Sequence, residues 1–200
     1  MTNKYPQKIA TDIYGVELYE PKIAHFKLTK EQAAALDADG ILDGTTTSSS
    51  AATTVTTFAA QPPYPRTITV IASDGTAEHV KAASTCTITG TNIKNQVISE
   101  VLTFEANQDS AEETAKAFKT VTSIVFSAMD GAAKFDVGWG DKLGLPFMFS
   151  VKPLCIAYQA DALETTSPTI TIDDNEIEKN TIDLHTALDS TKAVDVMFFL

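Results

Sequence analysis

Three groups of side chains in this sequence are of types that could do chemistry. The first is Asp173, Asp174, Asn175 and Glu176, with Glu178 close behind, whose oxygens could gather a hard cation such as Ca²⁺. The segment lacks the loop glycine and ligand order of an EF-hand, so it reads as a solvated acidic turn. The second is Gly138, Gly140 and Gly144, which superficially suggest a dinucleotide-binding loop. Their spacing is wrong for one, and Pro146 stands where a helix would have to begin, so the segment reads as a structural turn. Asp136 and Asp141 flank its Trp139 as turn-stabilising carboxylates. The third is His25, His79 and His185, which lie far apart and without metal-ligand spacing. Neither a Gly-x-Ser-x-Gly elbow nor a phosphate-cradling Gly-x-x-x-x-Gly-Lys loop occurs. The expectation is a protein that is not an enzyme and uses no cofactor or metal. A hydrolase using two acids would require a carboxyl of raised pKa in an acidic pocket.

The elements that position these residues are strands. The chain has 28 threonines in 200 residues, and its 44% hydrophobic content is only 8% aromatic. β-Branched side chains favour a pleated, half-exposed surface. Residues 66–72 and 85–89 alternate threonine with apolar residues, as antiparallel strands do. Residues 119–127, 134–139, 147–158 (with a break at Pro153), 168–172 and 194–200 read as further strands, and 90–95 as a hairpin connection. Residues 96–105 carry apolar groups on both faces and read as a central strand. Ser73-Asp74-Gly75 reads as a turn.

Two capping boxes predict short helices: Thr29 to Gln32, continuing over 31–36 and stopping at 37–40, and Ser110 to Glu113, continuing to about Phe118. The fold class expected is all-β, a β-sandwich or barrel-like body with an N-terminal arm and one or two short helices. The arm is placed at 1–62, with one strand over 13–18 and a Thr/Ser tract over 45–57 held by packing. The proline-rich 61–65 marks the boundary, and the body is 63–200. The apolar 196–200 segment either pairs into a sheet or fills a groove on a neighbouring subunit.

A net charge of −11 with a single arginine, Arg66, argues against nucleic acid and anionic membranes as partners. Residues 1–30 carry a balance of +2 and residues 161–200 one of −7, an asymmetry that could steer one copy's leading segment onto another. Cys86 and Cys155 read as buried, reduced thiols, with a disulfide left open. No secretory signal or spanning apolar run is visible, so synthesis in a cytoplasm is expected.

Five segments, read in order, carry a resemblance: Tyr-Pro-Arg-Thr-Ile-Thr-Val (64–70), Thr-Cys-Thr-Ile-Thr-Gly-Thr-Asn (85–92), Val-Ile-Ser-Glu-Val-Leu-Thr-Phe (97–104), Lys-Ala-Phe-Lys-Thr-Val-Thr-Ser-Ile (116–124) and Val-Gly-Trp-Gly-Asp-Lys-Leu-Gly-Leu-Pro (137–146). The set resembles a pattern of small virion structural proteins of tailed bacteriophages, among auxiliary head, decoration and head-fibre components. The resemblance implies a β-rich virion protein, most simply a decoration protein on the capsid exterior. It would bind the major capsid protein lattice or other virion proteins, and form a homo-oligomer. Trp139, Tyr64, Arg66, Phe198 and Phe199 are the residues expected to make contacts. The alternatives are a carbohydrate-binding or host-adhesion module using Trp139 as its platform, or a head-fibre or tail component. An arm that only serves assembly predicts that deleting 1–28 leaves the body folded.

Overall fold

The computed structural model describes residues 8–9, 18–19, 23–73, 82–106, 109–129 and 134–199. The expected strand over 13–17, the turn at Asp74-Gly75, His79 and Leu200 lie outside them. In chain order the strands are β1 (Lys8–Ile9), β2 (Leu18–Tyr19), β3 (Ile23–Leu28), β4 (Asp37–Thr46), β5 (Thr53–Val55), β6 (Arg66–Ser73), β7 (Ser84–Thr91) and β8 (Val97–Phe104). They continue with β9 (Ser110–Glu113), β10 (Thr120–Phe126), β11 (Lys134–Gly144), β12 (Leu154–Gln159), β13 (Ala162–Leu163), β14 (Thr169–Thr171), β15 (Thr181–Asp183) and β16 (Val194–Phe199). The only helix among the described residues is a single 3₁₀ turn, Ile177–Lys179.

Apart from the small β1–β2 pair, the strands form three antiparallel sheets, which curl into a half-barrel. One runs β5-β10-β7-β8, and another β13-β12-β16-β3. The largest runs β14-β15-β11-β6-β9, with β4 added against β11. The all-β body expected from the threonine alternation is what forms.

Two apolar cores fill the molecule. The first gathers β4, β6, β7, β8, β10 and the leading half of β11, around Phe126 stacked on Phe135 at 4.3 Å between ring centroids. The second gathers β3, β12, β14, β15 and β16 with Leu143 and Leu145, around Phe149 and Phe198 at 5.3 Å. Strand β11 serves both, contributing Phe135, Val137 and Trp139 to one and Leu143 to the other. Cys86 lies in the first core and Cys155 in the second, both free. Burial pushes the Cys86 thiol up to about 12 and raises that of Cys155, where Lys152 opposes it. Because thiolate is the reacting species, neither should be alkylated by iodoacetamide in the native protein, while both should gain a label in denaturant. Mass spectrometry reads the result.

Several expectations need correction. The first capping box does form: the Thr29 amide donates to Gln32 Oε1 at 3.0 Å and the Gln32 amide to Thr29 Oγ1 at 3.4 Å. Only one turn follows, because tertiary bonds capture Ala34 and Ala35, and residues 37–40 enter β4 instead of ending a helix. The second box does not form a helix. Residues 110–113 are β9, whose register places Glu113 opposite Thr69 and Ser110 opposite Ala72 on β6. In both places tertiary pairing overrides a local preference.

Strand β8 is an edge strand rather than a central one. The glycine-rich 138–144 segment is not a turn but the greater part of β11, the longest strand among the described residues. Residues 147–153 are irregular, so of the expected 147–158 strand only 154–158 forms, within β12.

From residue 23 onward, the segment read as an arm is part of the body. β3 pairs β16, β4 pairs β11, and β5, inside the Thr/Ser tract, pairs β10. Deleting 1–28 would therefore remove Phe26 and Leu28 from the second core. The terminal apolar segment pairs within its own chain, between β12 and β3.

Candidate interaction surfaces and the polar seam

Strand β11 changes cores at Gly140-Asp141-Lys142, and polar groups collect there. The Glu113 carboxylate accepts from Thr67 Oγ1 at 2.5 Å and pairs with Lys142. Gly140 makes the arrangement possible, since a methyl at its Cβ would run into Glu113 Oε1 and lie 2.8 Å from Thr67 Oγ1. Arg66, fully buried at the start of β6, donates from Nη1 to the Ala34 carbonyl at 2.9 Å. Its Nε and Nη2 find no hydrogen-bond partner among the described residues. Desolvation pulls the guanidinium down to about 10, with Asp141 opposing. The Asp141 carboxyl is raised by its own burial and by Asp183 and Glu113, with Arg66 pulling the other way.

Trp139, on the neighbouring strand β11, holds the same backbone segment as Arg66. Its indole is 8% exposed and donates Nε1–H to the Ala35 carbonyl at 3.0 Å. A Cβ on Gly40 would lie 2.6 Å from the ring. Two side chains expected to contact partners thus hold the Ala34–Ala35 backbone against the body. Ser190 Oγ takes the Ala35 amide at 2.9 Å and completes the clamp. An indole enclosed in this way offers no flat face to a sugar ring, so the glycan platform assigned to Trp139 is not available. Tyr64 is half-buried and packs edge-on to Phe26 at 5.7 Å, with its hydroxyl pKa raised by burial.

The acidic 173–178 segment is a locked turn. Asp173 Oδ1 accepts the Asn175 and Glu176 amides, both at 2.8 Å, and the fully buried Asn180 donates to the Asp173 and Glu176 carbonyls at 2.7 and 3.0 Å. Glu176 pairs with Lys116 and Lys179, and the buried Glu178 accepts from Asn92 Nδ2 at 3.1 Å. Among the described residues, no three His, Cys, Asp or Glu side chains converge as metal ligands would. Likewise, no helix among them is long and apolar enough to cross a membrane.

Sequence reading missed both pairings, Glu113 with Lys142 in the seam and Glu178 with Asn92 at the acidic turn, because the partners come from four separate stretches of chain. The only local hint was Asn92 itself, whose Oδ1 caps the hairpin by accepting the Lys94 and Gln96 amides at 2.9 and 3.0 Å.

Two outward faces carry contact chemistry instead. On the β12-β16-β3 sheet the register aligns Leu154, Phe199 and Ile23 in one cross-strand row. Leu154 is 70% and Ile23 57% exposed, with Phe199 half-buried between them. At the far end of this face Lys27 pairs with Asp195 at 2.9 Å. Phe198, one residue from Phe199, points the other way into the core. Of the five residues expected to make contacts, only Phe199 therefore lies on an outer surface row. The second face is the outer side of the β5-β10-β7-β8 sheet.

No protein-family model matches the chain, nor does any curated protein or solved structure.

Proposed function

We propose that this chain is a structural component of a tailed-phage particle, an auxiliary protein on the capsid exterior that binds the major capsid protein lattice. The observation that carries the reading is the Leu154–Phe199–Ile23 row, an apolar strip held outward on a rigid sheet with a polar end beside it. Such a strip loses hydration favourably on contact, at about 25 cal/mol for each Å² covered. The ordered motif set from Tyr64 to Pro146 supports the virion assignment. The internal satisfaction of Glu113, Glu176 and Glu178 agrees with a molecule that works by contact rather than by a reactive carboxylate.

Co-sedimentation with purified particles tests it. Wild-type protein should band with capsids at a copy number matching the shell's symmetry. Leu154→Glu changes an exposed position, so it should leave folding intact and reduce capsid-bound protein about tenfold or more, because a buried unpaired charge is costly. Absence of the wild-type chain from purified virions would reject the proposal.

A further inference from the structure

The outer face of the β5-β10-β7-β8 sheet has an unusual composition for so acidic a chain. Strand β7 turns Thr85, Thr87, Thr89 and Thr91 outward, every second residue, while Cys86 and Ile88 go to the core. Strand β8 adds Val97 and Val101, which are 77% and 55% exposed. In register the rows continue across the sheet, Val101 beside Thr87 beside Val125 beside Thr54. None of the outward-facing residues of these four strands is charged, although the chain carries a net −11.

Five of the outward hydroxyls, those of Thr89, Thr91, Ser99, Thr120 and Thr122, are paired within the sheet. Thr91 Oγ1 and Thr120 Oγ1 are 2.6 Å apart, Thr122 Oγ1 donates to the Thr89 carbonyl at 3.1 Å, and Ser99 Oγ donates to the Ile88 carbonyl at 3.1 Å. A partner covering this face would leave these hydroxyls already paired, so the desolvation penalty for burying them is small.

The geometry points to this face as a homotypic interface, in which the sheet stacks face to face on the same sheet of a second copy. Three arguments select that occupant. A cationic partner would be served by acidic side chains here, whereas two copies that each carry −11 can approach closely only where neither presents charge. The one charge on β8, the Glu100 carboxylate, is turned to the other side of the sheet, where it takes the Ala115 and Lys116 amides at 2.8 and 3.0 Å. The face is thus free of charge throughout, and β-sheets stack about 10 Å apart with aligned strands. Strands of three, seven, eight and eight residues, at about 4.8 Å spacing and about 3.3 Å per residue, give roughly 400 Å² per copy, so the pair reaches about 800 Å², the size of a weak, transient contact. The product is a weak, reversible dimer suited to repeated use in a lattice. This surface is distinct from the Leu154 row, and the inference holds whatever that row binds.

Sedimentation velocity of the full chain, from micromolar to submillimolar concentration at low and high salt, tests it. The expected result is a monomer–dimer equilibrium that tightens as salt rises, since screening relieves the repulsion between copies. Val101→Glu should weaken association about tenfold or more, and so should Val97→Glu at the end of the face; both sites are exposed, and far-UV circular dichroism checks that each variant folds. Leu154→Glu should leave the dimer unchanged, which separates this interface from capsid attachment. A chain that stays monomeric throughout, an association that loosens with salt, a dimer indifferent to Val101→Glu and Val97→Glu, or one dissolved by Leu154→Glu would each overturn the inference.

Discussion

Gly138→Ala is expected to destabilise the protein by about 3 kcal/mol or more, enough to leave a marginal domain largely unfolded. A Cβ at this position would collide with the backbone carbonyl of Asp37 on β4. A flexible side chain could move aside, but a carbonyl held in a strand moves only with its strand. The register between β4 and β11 already shifts between Val137 and Trp139, where the two backbones come closest. Displacing β4 there would drag the adjoining Ala34–Ala35 segment away from Arg66 Nη1 and Trp139 Nε1. The first of these losses would leave the buried Arg66 guanidinium with fewer partners, and the cost of unpaired buried polar groups adds to that of the clash. Urea denaturation followed by tryptophan fluorescence should show the midpoint falling steeply. A midpoint within the error of wild type would mean that β4 does not sit against Gly138.

Phe198→Ala should cost about 3–5 kcal/mol, whereas Phe199→Ala should cost well under half as much. The two residues are adjacent in a strand, so their side chains take opposite faces. Phe198 is fully buried and packs on Phe147 and Phe149, at 6.0 and 5.3 Å between ring centroids. Truncating it opens a cavity in the middle of the second core, between strands that cannot collapse without losing their ladder. Phe199 lies between Leu154 and Ile23 on the outer face, so its loss should appear in capsid co-sedimentation rather than in stability. Thermal melts of both variants, with binding measured in parallel, separate the roles. Equal destabilisation by the two would contradict the observed alternation.

Much of this fold was legible because it is written with a period of two. Strands β6, β7, β10 and β16 fall where alternation places them, and the hairpin at 92–95 follows from its asparagines, with Asn95 taking φ 62°. The helices at Thr29 and Ser110 were misread because a capping box is a local signal. In the folded chain Glu113 faces Thr67 and Lys142, more than 25 residues away in sequence in each direction. The glycines of β11 were misread as turn residues for a related reason. A missing Cβ marks close approach as well as conformational freedom, and only the tertiary partner tells which. Apolar residues on both faces of β8 were a true signal with the wrong cause: Val97 and Val101 stand on an open face at the sheet's edge, not beneath a second layer.

The surface rows were legible only in part. Phe199 could be singled out from its apolar neighbourhood, but Leu154 and Ile23 join it through pairing across more than 40 and 170 residues respectively. No pattern within either segment announces that registry.

The pairing of β3 with β16 also constrains how the chain can be made. Residues 23–28 leave the ribosome about 170 residues ahead of their ladder partner, 194–199. Until that partner is made, the nascent segment around Phe26 has no native strand beside it, and loop closure over so long a separation is slow. Until then that edge is open to neighbouring nascent chains, and the sheet is completed only once 194–199 has emerged.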